Sequence, residues 1–164
     1  MRTSLITAGA ALFLAMAPLP AAAEVTVKFV DPEAYTDAGR YGDDVAHNLA
    51  TLERYLTQFG SHCLGEGQSL DLRVLDVDLA GRDEWWRRGS YDLRVMRDIT
   101  WPRMDVTYVW RDGAGQVLGE GKARIMDQAY LWRSGYLRTD TDELPYEKAM
   151  LRDWFGKNLC GKRS

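Results

Sequence analysis

The stretch that decides the fold is LDLRVLDVDL at residues 70–79, where apolar and charged side chains alternate. Leucine and valine occupy the even positions up to Val74 and the odd positions from Leu75 onward. Because side chains alternate between the two faces of a strand, a change of phase by one residue flips the buried face unless the strand bulges. The stretch therefore predicts a half-buried strand with a bulge or a local twist at Val74–Leu75.

A strand and a helix are predicted before this stretch. Residues 25–29 alternate with period two, which is typical of a half-buried strand. Asp43 is a candidate N-cap, and Gly60 is a candidate helix end. Between them, apolar residues recur at helical spacing. They are Val45, Leu49, Leu52, Leu56 and Phe59.

Three more strands and a second helix are predicted after it. The strands cover residues 91–95, 104–110 and 116–126, with a hairpin turn at Asp112–Gly115. Pro145 suits the first turn of the final helix. The order β-α-β-β-β-β-α predicts one α+β domain over residues 24–164. We expect a mainly antiparallel sheet of about five strands, with the two principal helices on one face.

The N-terminus has the pattern of an export signal. Arg2 gives a positive start, residues 5–17 form an apolar run, and Ala21–Ala23 matches a signal-peptidase site. The run is shorter than the roughly 20 residues that span a bilayer, which favours a cleaved leader over a retained anchor. We expect residues 1–23 to be a signal peptide, cleaved before Glu24, and the protein to be periplasmic. No later segment is apolar enough to cross a membrane.

The two cysteines, Cys63 and Cys160, fit an oxidising compartment. An even cysteine count in an exported chain favours a disulfide, and two buried free thiols are the alternative. Closing a loop of about 100 residues would stabilise the fold by up to about 4.7 kcal/mol. No C-x-x-C motif is present, which leaves redox catalysis and haem attachment without their usual signature.

Composition and motifs narrow the function classes. The 164 residues include 24 acidic and 21 basic side chains, for a formal net charge of −3, which argues against nucleic-acid binding. With only two histidines, neither in H-E-x-x-H, and no G-x-S-x-G, the sequence predicts neither a metal site nor a nucleophile elbow. It predicts no cofactor and assigns no catalytic residue.

The densest polar constellation spans residues 76–103. As a functional site, it would combine paired acids for a cation or for acid–base chemistry with arginines for an anionic ligand. As architecture, it would be cross-strand ion pairing on the solvent face of the sheet, which is the favoured interpretation. Its candidate members are Asp76, Asp78, Arg97, Asp98, Trp101 and Arg103.

The second candidate is the charged loop RDEWWRRG at residues 82–89. Its members Trp85, Trp86, Arg87 and Arg88 offer aromatic faces and cations to a protein, glycan or lipid headgroup. The alternative is that one tryptophan folds over the sheet edge while its neighbour remains partly exposed.

Four blocks of the sequence resemble a known bacterial family. They are VKFVDPEAYTD at 27–37, DVDLAG at 76–81, RVMRDITWPRM at 94–104 and DQAYL at 127–131. In this order they are similar to the domain-of-unknown-function family 3016. The resemblance implies an exported bacterial protein and supplies no catalytic residue. The blocks coincide with the polar constellation rather than with the tryptophan loop.

Two functional hypotheses follow. The first is a non-enzymatic periplasmic domain that binds an envelope protein or glycan through the tryptophan loop. The alternative is a carboxylate-dependent hydrolase or cation-binding domain that uses Asp76, Asp78 and Asp98. The alternative requires these carboxylates to converge in a concave pocket.

Overall fold

The computed structural model describes residues 22–84, 86, 93–132 and 143–160, so most of the predicted signal peptide lies outside it. Its main elements are β1 (Glu24–Phe29), α1 (Gly42–Cys63), β2 (Ser69–Asp78), β3 (Arg82–Asp83), β4 (Arg94–Val95), β5 (Arg103–Arg111), β6 (Val117–Met126) and α2 (Pro145–Phe155). A 3-10 turn at Pro32–Ala34 and a π-helical turn at Gly156–Cys160 complete them. The predicted α+β class with two principal helices is confirmed.

The main sheet has four strands in the order β1-β2-β5-β6. β1 is parallel to β2, and the other two pairings are antiparallel. The parallel pair arises because α1 connects β1 to β2, and a crossover of this kind returns the chain in the same direction. The sheet is therefore mixed, although antiparallel pairing predominates as predicted.

The irregularity predicted at Val74–Leu75 is confirmed. The register between β2 and β5 shifts between Val74 and Asp76, so Leu75 has no partner in it. Val74 before the shift and Val77 after it are both buried. The bulge thus allows both phases of the alternating pattern to face the core.

One predicted strand does not join the main sheet. Of residues 91–95, the structure assigns Arg94–Val95 to a strand, β4, which pairs with β3 in a separate two-stranded hairpin. The chain leaves the main sheet at Gly81, whose φ is 81°. A Cβ at Gly81 would lie 2.9 Å from the Val95 carbonyl oxygen, so β4 packs directly on this turn. The alternation of apolar and polar side chains predicts a strand at residues 91–95, but it does not indicate that the chain turns away from the main sheet before it.

The prediction of both α1 boundaries was wrong. The N-cap is Tyr41, with Asp43 in the first turn, and the helix continues through Gly60 to Cys63. A Cβ at Gly60 would lie 3.1 Å from Val25 Cγ2 and 3.3 Å from the Phe155 ring. Gly60 is therefore a point of close approach to β1 and α2, rather than a helix stop.

The hairpin between β5 and β6 forms at the predicted turn. Asp112 accepts the Gly115 N–H at 3.0 Å, and Gly115 adopts a φ of 81°. Farther along β6, Gly119 lies opposite Trp110, while Gly121 lies opposite Tyr108 in the same way. A Cβ at Gly119 would be 3.7 Å from the Trp110 ring. Both glycines thus leave room for aromatic side chains on the core face.

The core lies between the helices and one face of the main sheet. Leu52 and Leu56 of α1 and Leu151 and Phe155 of α2 are almost fully buried against it. The predicted disulfide is confirmed, since Cys63 at the end of α1 is bonded to Cys160 after α2. Within the described part of the chain, no helix combines the length and the apolar character required to cross a membrane.

Candidate functional site

Charged side chains gather where β2 ends and the β3–β4 hairpin begins. The ion-pair cluster consists of Asp37, Asp76, Asp78, Arg82, Asp83, Arg94 and Arg103. Asp37 belongs to this cluster because the chain after β1 continues alongside β2 and pairs with it at Asp37. Its N–H donates to the Val77 carbonyl oxygen, and its carbonyl oxygen accepts the Leu79 N–H, both at 2.9 Å.

Arg94 is the centre of this cluster. Its Nε donates to the Ala80 carbonyl oxygen at 2.6 Å, and its Nη2 reaches the carbonyl oxygens of Leu79 and Gly81 at 3.1 and 3.2 Å. The guanidinium also contacts Asp37 at 2.7 Å and Asp83 at 3.4 Å. One side chain therefore binds three successive carbonyls and two carboxylates. It fixes the turn that directs the chain from β2 into the hairpin.

Arg103 joins Asp76 and Asp78, which are two residues apart in β2 and therefore lie on one face of the strand. Its Nη2 lies 3.4 Å from Asp76 Oδ2 and 3.3 Å from Asp78 Oδ2. Asp76 also accepts the Thr36 N–H at 2.7 Å and the Thr36 hydroxyl at 2.8 Å. Arg82 donates to both Asp78 and Asp37. These carboxylates are thus occupied by groups of the protein itself.

Burial affects the protonation of this region. Desolvation raises the pKa of Asp78, although Arg82 and Arg103 oppose the rise. Burial similarly raises the pKa of the Tyr35 hydroxyl to about 12, and this hydroxyl donates to the Val74 carbonyl oxygen at 2.9 Å. The carboxylates are packed tightly enough for desolvation to outweigh their arginine partners at Asp78. This is the behaviour of an internal network rather than of an open surface.

Glu147 of α2 is a further buried acid beside the cluster. Its side chain accepts the Ala80 N–H at 2.7 Å, and only 3% of the residue is exposed. Desolvation raises the pKa of Glu147, with the nearby Asp37 acting in the same direction and Arg94 opposing it. Arg94 and Glu147 thus hold the same turn of the chain from its carbonyl side and its amide side.

A cavity of about 520 Å³ lies between the two helix N-termini and this turn. His47, Asp83, Arg94 and Glu147 contribute to its lining. Several of its polar groups already have partners within the protein; for example, His47 Nε2 lies 3.1 Å from Glu143 Oε1, and Asn48 Nδ2 donates to the Ala38 carbonyl oxygen at 3.0 Å. The cavity is not lined by Asp76, Asp78 or Asp98.

The six candidates from the polar constellation fall into separate environments. Asp76, Asp78 and Arg103 belong to the ion-pair cluster. Arg97 instead pairs with the buried Glu84, and its backbone N–H and carbonyl oxygen bond to the Tyr130 hydroxyl. Trp101 is half-buried, while Asp98 lies exposed in a turn. No hydrogen bond or ion pair of the described residues joins Asp98 to Asp76 or Asp78.

Exposed apolar side chains follow, in sequence, the residues that form the Glu84–Arg97–Tyr130 contacts. Trp86 lies two residues after Glu84, Ile99 two after Arg97, and Trp132 two after Tyr130, with exposures of 62%, 72% and 89%. The exposed apolar surface consists of Trp86, Leu93, Met96, Ile99 and Trp132. Of the predicted binding loop, Trp86 belongs to this surface. Trp85, Arg87 and Arg88 lie outside the described residues.

Sequence reasoning missed several residues that organise this region. The sequence predicts no role for Asp37, Glu84 or Glu147, and it places Arg94 only within the predicted strand 91–95. Their only available signal was their position within or beside the resembling blocks. Their contacts join segments that are far apart in the chain, so no local periodicity could have revealed them.

The described residues contain no group of three or more histidine, cysteine or acidic side chains arranged to hold a metal ion. A model of a protein family of unknown function, DUF3016, matches residues 23–157. The chain therefore belongs to the DUF3016 family. No curated protein and no solved structure matches it.

Proposed function

We propose that this member of the DUF3016 family is an exported, non-enzymatic binding domain whose exposed apolar surface recognises an envelope protein. The observation that carries the proposal is the exposure of Trp86, Ile99 and Trp132, each two residues along the chain from a member of the connected Glu84–Arg97–Tyr130 contacts. Large apolar side chains held outward by an ordered scaffold are typical of a surface that a partner covers.

The scaffold beneath these side chains supports recognition. The Tyr130 hydroxyl bonds to the backbone of Arg97, and its ring packs edge-on against Tyr146 at 4.9 Å between centroids. Thr100 N–H donates to the Arg97 carbonyl oxygen at 3.0 Å, which closes the turn that presents Ile99. The exposed side chains therefore leave a backbone that is ordered before binding, so less conformational entropy is lost on association.

Arg97 provides a charged neighbour for this surface. Its side chain is 46% exposed while it pairs with the buried Glu84. Aromatic residues and arginine are the residue types most enriched at protein interfaces. This composition favours a protein partner.

The alternative, hydrolysis or cation binding by Asp76, Asp78 and Asp98, has less support. The first two carboxylates are bonded to Arg103, Arg82 and Thr36, and Asp98 lies apart in an exposed turn. Carboxylate catalysis requires two acids placed around one substrate bond, at a separation set by the reaction. The contacts of Asp76 and Asp78 are those of a structural network.

Site-specific photo-cross-linking in the source bacterium tests the proposal. A photoreactive phenylalanine analogue is placed at position 99 or 132, and a matched control places it at Thr26, which is exposed on β1. We expect a defined, protease-sensitive adduct from positions 99 and 132 but not from position 26. Adding Trp86→Ala should reduce the adduct from position 99 by at least about tenfold, because a central tryptophan often dominates an interface.

Three outcomes would contradict the proposal. Equal adducts from all three positions would indicate random collisions, and no adduct would leave the surface without a partner. An adduct removed by a glycan-degrading enzyme but not by protease would replace the protein partner with a glycan. Export has its own test: the N-terminal sequence of the periplasmic protein should begin at Glu24, and an intact leader would exclude the proposed processing.

A further inference from the structure

The outer edge of β6 is open in the described structure. β6 is the last strand in the sheet order, and its ten residues, Val117–Met126, are mostly exposed. Val117, Leu118 and Met126 are among the large apolar residues left exposed. Long open edges are normally shortened, covered or paired, because their free amides and carbonyls can bind another strand.

Alternation along β6 shows which backbone groups are available. The Asp127 N–H donates to the Pro102 carbonyl oxygen, so this amide points toward β5. Successive residues of a strand direct their amides to opposite sides. The amides and carbonyls of Glu120, Lys122 and Arg124 therefore point to the open edge.

Glu120 and Lys122 are two opposite charges on the outer face of β6, and neither forms a salt bridge within the described chain, although Lys122 helps Arg124 to lower the pKa of Asp105. Their neighbours across β5 are Val109 and Thr107, which are both uncharged. Glu120 and Lys122 are themselves exposed and form no ion pair with another described residue. Gly121 lies between them. If two copies of β6 paired antiparallel with Gly121 at the centre, Glu120 of each copy would therefore lie opposite Lys122 of the other.

We infer that β6 pairs antiparallel with β6 of a second copy of this chain, around a two-fold axis at Gly121. In this register Glu120 faces Lys122 of the second copy, and Lys122 faces its Glu120. The two contacts are opposite-charge pairs between residues whose backbone groups both point to the shared edge. The exposed Leu118 faces the aliphatic part of Arg124, which keeps its bonds to Asp105 at 2.9 Å.

Neighbouring registers are less favourable. An axis at Glu120 would place that carboxylate against itself, and an axis at Lys122 would place two ammonium groups together. Like charges directly opposite each other destabilise a strand pair. A two-fold axis between two residues would place a residue whose amide points to the open edge opposite a residue whose amide points to β5. The hydrogen bonds between the two strands could then not form. The register at Gly121 satisfies both the charges and the backbone.

Charge exchange tests this register in the purified protein with its disulfide intact. Sedimentation velocity over a concentration series should show a reversible dimer. Lys122→Glu and Glu120→Lys should each raise the dissociation constant by at least about tenfold, because each variant changes two attractive contacts into repulsive ones. Lys28→Glu, on the opposite edge of the sheet, changes the net charge by the same amount as Lys122→Glu and should have no effect.

The decisive variant is the double exchange Glu120→Lys with Lys122→Glu. It should restore the dimer, and an equimolar mixture of the two single variants should form a heterodimer. A purely monomeric wild type, a dimer insensitive to Lys122→Glu, or a double variant that remains monomeric would each overturn the inference. Circular dichroism of every variant establishes that a loss of dimer is not a loss of fold.

Discussion

The ion-pair cluster and the exposed apolar surface are neighbours along β4, yet they use their side chains in opposite ways. In the cluster, Arg94 is surrounded by carbonyl oxygens and carboxylates at hydrogen-bond distance. Two residues after Arg94, Met96 is exposed, and Ile99 is more exposed still. The carboxylates of the cluster are bonded to arginines of the protein, although Arg103 Nε is buried without a hydrogen-bond partner among the described residues. The surface, in contrast, leaves apolar area in contact with water.

This contrast teaches that a dense charge pattern is a weak indicator of a binding site. Opposite charges that meet one another stabilise a turn and have little capacity left for a ligand. Exposed apolar side chains cannot form ion pairs of this kind. The functional candidate is therefore the region that leaves large apolar side chains exposed to water.

The largest expected effect breaks the cluster at its centre. Arg94→Met keeps much of the side-chain volume but removes every donor, leaving three carbonyls and two carboxylates without it. We expect a loss of about 3 kcal/mol in the free energy of unfolding, because breaking a largely buried charge network leaves unpaired groups behind. Equilibrium unfolding in urea, with the disulfide intact, measures this loss. Arg73→Met, exposed on β2, should change stability by less than about 0.5 kcal/mol, and equal losses would contradict the assignment.

A smaller loss is expected at Asp76, and it separates architecture from catalysis. Asp76→Ala removes the acceptor of the Thr36 N–H and hydroxyl and a partner of Arg103. We expect a loss of about 2 kcal/mol, which is typical when charged hydrogen-bond acceptors are removed. Asp98→Ala is the matched control and should be nearly neutral. If Asp76→Ala left stability unchanged, the structural role of this carboxylate would be wrong.

The contacts of Asp76 also illustrate which features of this region could be predicted from the sequence. The alternation in residues 70–79 predicted β2 and its bulge, because both depend on neighbours in the chain. Asp76 and Asp78 were correctly placed on one face for the same reason. Their partner Thr36 lies 40 residues from Asp76 and belongs to no periodic pattern. Local physics thus identified the strand but not the contacts that occupy it.

The same limit explains the errors at Gly60 and at residues 91–95. A glycine near the end of an apolar helix normally predicts a stop. Here the close approach of Val25 and Phe155 requires the missing Cβ, and that packing is visible only in three dimensions. Residues 94–95 likewise pair with β3 because Gly81 turns the chain away from the main sheet. Both cases are tertiary contacts that override a valid local signal.

Glu147→Gln should change stability in the opposite direction. Because burial raises the pKa of Glu147, the folded protein holds its proton over a pH range where the unfolded chain has released it. Stability therefore falls as pH rises from the unfolded pKa toward the folded one. Glutamine still accepts the Ala80 N–H but cannot ionise. We expect the variant to gain stability relative to the wild type as pH rises above the ordinary pKa of a glutamate side chain, measured by urea unfolding.

The control for this experiment is Glu33→Gln, an exposed acid on the 3-10 turn, whose stability difference from the wild type should stay nearly constant with pH. Asp78 contributes a pH dependence of the same sign, because its pKa is also raised by burial. It is unchanged in both variants and cancels from the comparison. A Glu147→Gln variant that lost stability with rising pH as steeply as the wild type would contradict the assignment of the buried acid.

The smallest effect on stability is expected at the exposed apolar surface. Ile99→Ser removes an apolar side chain from a residue that is 72% exposed, so little buried area is lost and the free energy of unfolding should change by less than about 0.5 kcal/mol. The turn itself is retained, because its hydrogen bonds use the Thr100 and Arg97 backbone. If the proposed surface binds a partner, the same variant should instead weaken photo-cross-linking from position 132. Ile99 would then be dispensable for folding but required for association. In the ion-pair cluster we expect the opposite, a large loss of stability and little direct effect on association.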